Sequence, residues 1–370
     1  VRSDPQSLDR VVTKKCTADA PASGSAPAAA GVRWPAEWER HDATWIAWPH
    51  HEPDWPGKFG PIPWVYAEIA RALAEHEHVR ILVNDEAAEE QAWHCLRMHE
   101  VRQSRVHLHV CPTDRVWLRD SGPTGVHLAD GSVRLVNWGF NAWAKYDNFA
   151  HDAKLGAFVA DHTGLALHRP ERHDGKGRVI LEGGGIETDG RGTMLVTEEW
   201  LLSDVQVRNP GFTRADYERA FAEELGCTTT IWLGEGCVGD DTHGHVDDIA
   251  RFVAPGVLAL PEPFGSDDPN AEVFADALAR AKDWPVEVAL IPSAGLHVDE
   301  DGEPIPASHM NFYIGNAVVV VPTYGGPSDD KAVEAIAKLF PGRETVGLPA
   351  NHILTGGGSF HCISQQVPRV

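Results

Sequence analysis

Val318-Val319-Val320-Val321, then Ser328, then Val333, Ile336 and Phe340, then Thr345-Val346-Gly347-Leu348 form one continuous stretch near the end of the chain. Four β-branched residues in a row predict a strand. The apolar row at helical spacing predicts a helix after Ser328, and the last run predicts a second strand. The same order precedes it four times. Thr44-Trp45-Ile46-Ala47-Trp48-Pro49 leads to a helix with Val65, Ile69 and Leu73, then Val79-Arg80-Ile81-Leu82-Val83. Leu135 to Phe140 leads to a helix with Leu155, Phe158 and Val159 that stops at Gly164. Thr193 to Thr197 leads to a helix opened by the capping-box pair Thr213 and Asp216, with Phe212 and Tyr217 as a staple. Gly226 ends it, and Thr228 to Leu233 follows as a strand. Val257 to Leu260 leads to Asn270 as cap, a helix with Phe274 and Leu278, and the strand Glu287 to Ile291.

The last four units recur at roughly 60-residue spacing, which signals a repeat architecture. A strand-strand-helix-strand unit repeated five times can close radially and leave only short, protected edges. The expected fold is therefore an α/β propeller of five pseudo-symmetric ββαβ blades. Its helices lie outside, and the strand after Cys362 closes onto Thr44–Pro49. Residues 1–31, with Ala-Pro-Ala-Ser-Gly-Ser-Ala-Pro at 20–27 and no apolar core ahead of it, read as a flexible tail rather than a signal peptide. Residues 32–370 then form a single catalytic domain.

Composition narrows the partners. The formal net charge is −22, from 54 acidic against 32 basic side chains, a field that repels nucleic acid and anionic membranes and attracts cationic small molecules. No run of 18 apolar residues exists, so no membrane-spanning helix is expected. The cysteines Cys16, Cys95, Cys111, Cys227, Cys237 and Cys362 are scattered without a C-x-x-C pair. That spacing argues against a disulfide framework or a thiolate metal site and for a reducing, cytoplasmic setting.

Chemistry-bearing residues recur at one position of the repeat, on the strand expected before each core strand. The segments are Trp117-Leu118-Arg119-Asp120-Ser121-Gly122-Pro123, Ile180-Leu181-Glu182-Gly183-Gly184-Gly185, Asp241-Thr242-His243-Gly244-His245-Val246-Asp247-Asp248, Met310-Asn311-Phe312-Tyr313 and Gly356-Gly357-Gly358-Ser359-Phe360-His361-Cys362. Pseudo-symmetry brings Asp120, Glu182, His245, Asp247 and Cys362 to one axial site. His245 and Asp247, two apart, share a face if that segment is a strand. A thiol among three carboxylates is a poor nucleophile until a cation sits among them. Guanidinium suits such a site, because its planar fork pairs bidentately with carboxylates. Cys362 would attack the guanidinium carbon to give a thiouronium intermediate, with His245 as general acid and base. Arg119-Asp120 as a plain ion pair, and Cys362 as a structural thiol, are the plainer readings of the same residues.

These segments resemble the agmatine deiminase and bacterial-type peptidylarginine deiminase family, of the guanidino-group-modifying (pentein) enzymes. The resemblance covers Trp34 to Pro368. It rests on Pro35-Ala36-Glu37-Trp38-Glu39, Trp117-x-Arg119-Asp120-x-Gly122-Pro123, Glu182-Gly183-Gly184, Gly244-His245-x-Asp247, Asn311-Phe312-Tyr313 and Gly356-Gly357-Gly358-x-x-His361-Cys362-Ile363-x-Gln365-Gln366. It implies a cofactor-free, metal-free hydrolase that converts agmatine to N-carbamoylputrescine and ammonia. Cys362 would be its nucleophile, His245 its acid/base, and Asp120, Glu182 and Asp247 its guanidinium carboxylates. Trp117 and Gly358 would border the substrate. The chain departs from the agmatine-hydrolysing pattern at His243, at His309 and over 202–210, which bears on the tail of the guanidino compound. Free or peptidyl arginine is the alternative substrate, and a homo-oligomer is compatible with the pattern. Two rival classes are a metal-dependent hydrolase built on His243-x-His245-x-Asp247-Asp248 and a non-catalytic binder of cationic ligands.

Overall fold

The computed structural model describes residues 31–370. The tail expected over residues 1–31 lies, Gly31 apart, outside the described residues. The strand–helix–strand units are present, and each carries one further strand. Val318 to Val321 are all buried, because the second strand of its sheet is covered on both faces.

Five small sheets make a mixed α/β fold. In each, a first strand runs antiparallel to a second, and the second runs parallel to a third reached through a helix. One sheet takes Tyr313–Ile314, Val318–Thr323, the helix Asp329–Leu339 and Glu344–Pro349. Another takes Arg251–Ala254, Val257–Glu262, the helix Ala271–Ala281 and Glu287–Pro292. A third takes Glu187–Thr188, Thr193–Thr197, the helix Arg214–Glu224 and Thr229–Leu233. A fourth takes Thr124–Leu128, Val133–Val136, the helix Leu155–Thr163 and Ala166–His168, with Val32–Arg33 on its edge. The fifth joins the two ends of the described chain. Ser364–Pro368 pairs with His41–Ala47, which continues through the helix Ile62–Ala74 to His78–Val83 and Val106–Val110. Ser364 lies opposite Ile46 and Gln365 opposite Trp45.

Local signals account for most element boundaries. The capping box forms, with the Thr213 N–H donating to Asp216 Oδ2 at 2.8 Å and the Phe212 and Tyr217 rings 5.1 Å apart. Gly164 closes its helix at φ 72°. Ser328 and Asn270 precede helices but cap neither. Asn270 Oδ1 instead accepts the Val238 N–H at 2.7 Å, anchoring a loop. Among the described residues no helix is long and apolar enough to cross a membrane. Cys95, Cys111, Cys227, Cys237 and Cys362 are free thiols.

The recurring chemical segments are not strands, as expected from the sequence, but the turns that enter the first strand of each sheet. Leu118–Ser121 is one helical turn before Thr124, Gly183–Gly185 a tight turn before Glu187, and Val246–Asp248 another before Arg251. Asn311 stands just before Tyr313, and Cys362 just before Ser364. His243 at φ 62° and Gly244 at φ 102° exclude a strand there, so His245 and Asp247 converge through turn geometry rather than alternation.

Candidate active site

The turn that presents Cys362 is held chiefly by Asn311, with Arg119 Nε also donating to the His361 carbonyl at 3.4 Å. Asn311 Oδ1 accepts the backbone N–H groups of His361 at 3.0 Å and Cys362 at 3.3 Å. Asn311 Nδ2 reaches Cys362 Sγ at 3.1 Å and Asp248 Oδ1 at 2.9 Å. A methyl group at Gly358 would lie 2.8 Å from the Trp117 ring and 3.1 Å from Sγ, so only glycine lets the chain pass this close to the thiol.

Asp120 faces the thiol's side of the site from its helical turn. Its carboxylate accepts from Trp143 Nε1 at 2.9 Å and from the Gly184 N–H at 3.0 Å. Trp143 reaches it from a left-handed turn in which Ala142, Trp143 and Ala144 have φ of 49°, 60° and 53°. Such backbone costs about 1–3 kcal/mol per residue and persists where its surroundings hold it. Here Gln206 Nε2 donates to the Trp143 carbonyl at 3.1 Å. Burial, with repulsion from Asp247 and Glu182, pushes the Asp120 carboxyl up to about 6 against the pull of His245.

Glu182 is satisfied on both oxygens. Oε1 accepts from Arg208 Nε at 3.1 Å, and Oε2 accepts from Trp200 Nε1 at 2.7 Å and lies 3.3 Å from His245 Nε2. Burial disfavours its charge, but Arg208 and His245 outweigh that and hold the carboxyl down at about 2. His245 itself is presented by Asp240, whose Oδ2 accepts the Gly244 and His245 N–H groups at 3.1 and 3.0 Å. Burial works against its charge, yet Asp120 and Glu182 lift it to about 9. Its Nδ1 lies 3.7 Å from Asp120 Oδ1 and makes no hydrogen bond.

Asp247 completes the group. Its Oδ2 receives His361 Nδ1 at 2.7 Å and lies 3.6 Å from Cys362 Sγ, while its buried Oδ1 has no partner. Burial and the carboxylates of Asp247, Asp248 and Asp120 push the Cys362 thiol well above its ordinary range. Three of these groups meet at one point. A methyl group on Gly184 would fall 2.7 Å from His245 Nδ1, 2.8 Å from Asp120 Oδ1 and 3.2 Å from Asp247 Oδ2.

A cavity of about 450 Å³ opens onto this group, with Trp117, Asp120, Trp143 and Cys362 in its lining. Its wall carries Asp54, paired with Arg115, and Asp241, which bonds Lys145 and accepts the Tyr146 hydroxyl at 2.7 Å. All seven residues singled out from the sequence, Trp117, Asp120, Glu182, His245, Asp247, Gly358 and Cys362, therefore converge. Of the seven, Trp117, Asp120 and Cys362 line the cavity, while Glu182, His245, Asp247 and Gly358 lie behind that lining; Glu182 differs further in that both its oxygens are engaged, with Arg208, Trp200 and His245. His243 turns away to Ser203 Oγ at 3.0 Å and Glu199 at 3.4 Å, and His309 binds Asp329 at 2.8 Å. Arg119 pairs with Glu37 rather than with its neighbour Asp120.

Asn311, His361, Glu37, Asp240, Trp143, Trp200 and Arg208 support the site without a role expected from the sequence. Asn311, His361 and Glu37 lie in the motifs that carry the family resemblance, and Arg208 lies within 202–210, where the chain departs from that pattern.

The model of the Porphyromonas-type peptidyl-arginine deiminase family matches residues 33–368. The agmatine deiminase of Ectopseudomonas mendocina is 34% identical over 370 residues, covering 92% of this chain and 97% of that protein. The solved structure of the agmatine deiminase of Enterococcus faecalis superposes with a TM-score of 0.83 at 28% identity, covering 94% of this chain and 98% of the other. An agmatine deiminase of C. jejuni shares the fold at a TM-score of 0.77 and 21% identity, covering 92% and 96%.

Proposed function

The chain belongs to the Porphyromonas-type peptidyl-arginine deiminase family, and we propose that it hydrolyses agmatine to N-carbamoylputrescine and ammonia. One observation carries the reading. The buried group holds an unpartnered Asp247 Oδ1, an Asp120 carboxyl bonded only to uncharged donors, and a thiol held protonated by the surrounding negative charge. A small planar cation would satisfy all three, and guanidinium is one.

In this reading the guanidinium bonds Asp120 and Asp247 Oδ1 and lies against Cys362. Its charge lowers the thiol pKa, and the thiol proton leaves to solvent. The thiolate adds to the guanidinium carbon, giving a neutral tetrahedral adduct. Protonated His245, through Nδ1, gives its proton to one amino group, and ammonia departs to leave the S-alkylthiouronium cation. Neutral His245 then takes a proton from water as the hydroxide adds to the same carbon. Collapse of that adduct breaks the C–S bond, forms the ureido carbonyl and returns the hydroxyl proton to the sulfur. The ammonia carries off the proton first shed by the thiol. We assign Glu182 to His245 rather than to the substrate: it orients the ring through Nε2 and keeps Nδ1 free for the proton transfers.

We further infer that the five sheets are blades of one pseudo-symmetric propeller and that 32–370 form a single catalytic domain. Support comes from the shared ββαβ order, from the pairing of Ser364–Pro368 with His41–Ala47, and from site residues that enter at the same turn of every sheet. The test is ammonia release from agmatine, arginine and arginine-terminated peptides by the parent and by Cys362→Ser. Agmatine should be the fastest, with a ureido product and nearly all turnover lost in the variant. A parent that binds agmatine without releasing ammonia would overturn the reading.

A further inference from the structure

Two motif residues take no part in the chemistry above; they join in a chain of contacts that ends on Asp247, and neither lines the cavity. His361 Nδ1 lies 2.7 Å from Asp247 Oδ2, and its Nε2 lies 2.9 Å from Glu37 Oε2. Glu37 is held in turn: Oε2 accepts from Arg119 Nη2 at 3.2 Å, and Oε1 accepts from Arg251 Nη2 at 2.9 Å and the Ile314 N–H at 2.8 Å. All five side chains are buried. An imidazole that donates from both nitrogens to a carboxylate at each end would carry a positive charge. The main chain beneath the ring is held as well, with the His361 N–H donating to Asn311 Oδ1 at 3.0 Å.

The consequence falls on Asp247. Besides His361, the groups acting on it are Cys362, Asp248, Asp120, His245 and Arg251, and two of these are further carboxylates. A buried carboxylate in such company would take up a proton or rotate toward a donor. The bond to His361 saturates Oδ2 and leaves Oδ1 bare. We propose that His361, locked by Glu37, is a positioning residue that keeps Asp247 ionised and presents its free oxygen to the substrate guanidinium. The inference rests on the deiminase reading and assigns the Pro35-Ala36-Glu37 and His361-Cys362 motifs a shared task. The depressed carboxyls of Glu37 and Asp247, both buried but held down by cations that include His361, accord with it.

The test separates the two ends of the ring. In His361→Asn the amide nitrogen replaces Nδ1 and retains a donor for Asp247; in His361→Gln it replaces Nε2 and leaves Oδ2 bare. With agmatine as substrate, His361→Gln should raise KM about 100-fold and His361→Asn about tenfold, the span of a charge-assisted bond lost or kept neutral. Their melting temperatures should agree within a few degrees. Equal kcat/KM for the two variants, or parental values for both, would overturn the proposal. Should either variant fail to fold, the parent decides: ¹⁵N spectra of labelled imidazoles at neutral pH should show both His361 nitrogens carrying protons, and one bare nitrogen would overturn it. A parent that turns over no guanidine while His361 still shows both protons would sink the deiminase reading instead.

Discussion

His245 and His361 are each wedged between two buried carboxylates, and they differ in how tightly they are gripped. His361 is closed at both ends, at 2.7 and 2.9 Å. His245 sits 3.3 Å from Glu182 and 3.7 Å from Asp120, with Nδ1 unpartnered beside the reacting groups. The difference separates two uses of one residue. A ring that must lose and regain a proton needs one end open, whereas a ring that supplies fixed charge is best bonded at both. The largest expected effect follows from the open end. His245→Asn should lower kcat by about 10²–10⁴-fold, the range of a general acid and base, while His361→Asn should act chiefly on KM. Steady-state kinetics of both variants would break the comparison if the two changed the same parameter by the same factor.

The grip on His245 depends on Arg208, which pairs with Glu182 with both side chains fully buried. Arg208→Met leaves an ionised carboxylate without its cation, which typically costs about 3–5 kcal/mol. Urea unfolding should register that loss, and a change under about 1 kcal/mol would show that Glu182 draws its charge compensation elsewhere. A smaller effect is expected at Asn311. Asn311→Ala removes the N–H on Cys362 Sγ and frees the Cys362 backbone N–H, while the His361 N–H keeps the Asn311 carbonyl at 3.1 Å, so kcat/KM should fall about 10- to 100-fold. Alkylation of the thiol would check the cause: a parental rate in Asn311→Ala would mean that the bond does not hold the nucleophile.

The repeat was legible because parallel strands covered on both faces read as unbroken apolar runs, as at Val318–Val321. The five candidate acids, base and nucleophile were legible because their spacing followed that repeat. What hid the rest was conformation. The His243–Asp247 segment alternates like a strand in sequence, but Asp240 folds it into a turn by accepting successive N–H groups. Trp143 reaches Asp120 only through three left-handed residues, none of them glycine, so no composition signal marks the turn. Arg208 arrives at Glu182 from a loop whose path no periodicity encodes. Asn270 looked like a cap, and its side chain was drawn instead to an unpaired N–H on a neighbouring loop.

The least drastic way to sharpen the comparison changes pH rather than sequence. In the proposed mechanism, productive free enzyme has Asp120 ionised to pair the guanidinium and His245 protonated to release ammonia. With Asp120 raised to about 6 and His245 raised to about 9, kcat/KM should rise through pH 6, level off, and fall through pH 9, changing about tenfold per unit outside those limits. The stability sign agrees for His245. Its folded pKa lies above the ordinary 6.5, so its contribution is fully present below that pH and is lost as pH climbs through about 9. Asp120 runs the other way. Its raised carboxyl makes ionisation a growing cost to folding above about pH 4, and the buried negative charge left at neutral pH is what guanidinium relieves. Guanidinium binding to Cys362→Ala, followed by calorimetry, should therefore strengthen as pH rises through 6, and should lose that dependence in Cys362→Ala with Asp120→Asn. His361→Asn should lower the kcat/KM plateau while leaving both midpoints in place, because the proton that titrates belongs to the open ring. A midpoint that moves by a full unit in His361→Asn would place the two histidines in one titrating unit and dissolve the distinction between mover and clamp.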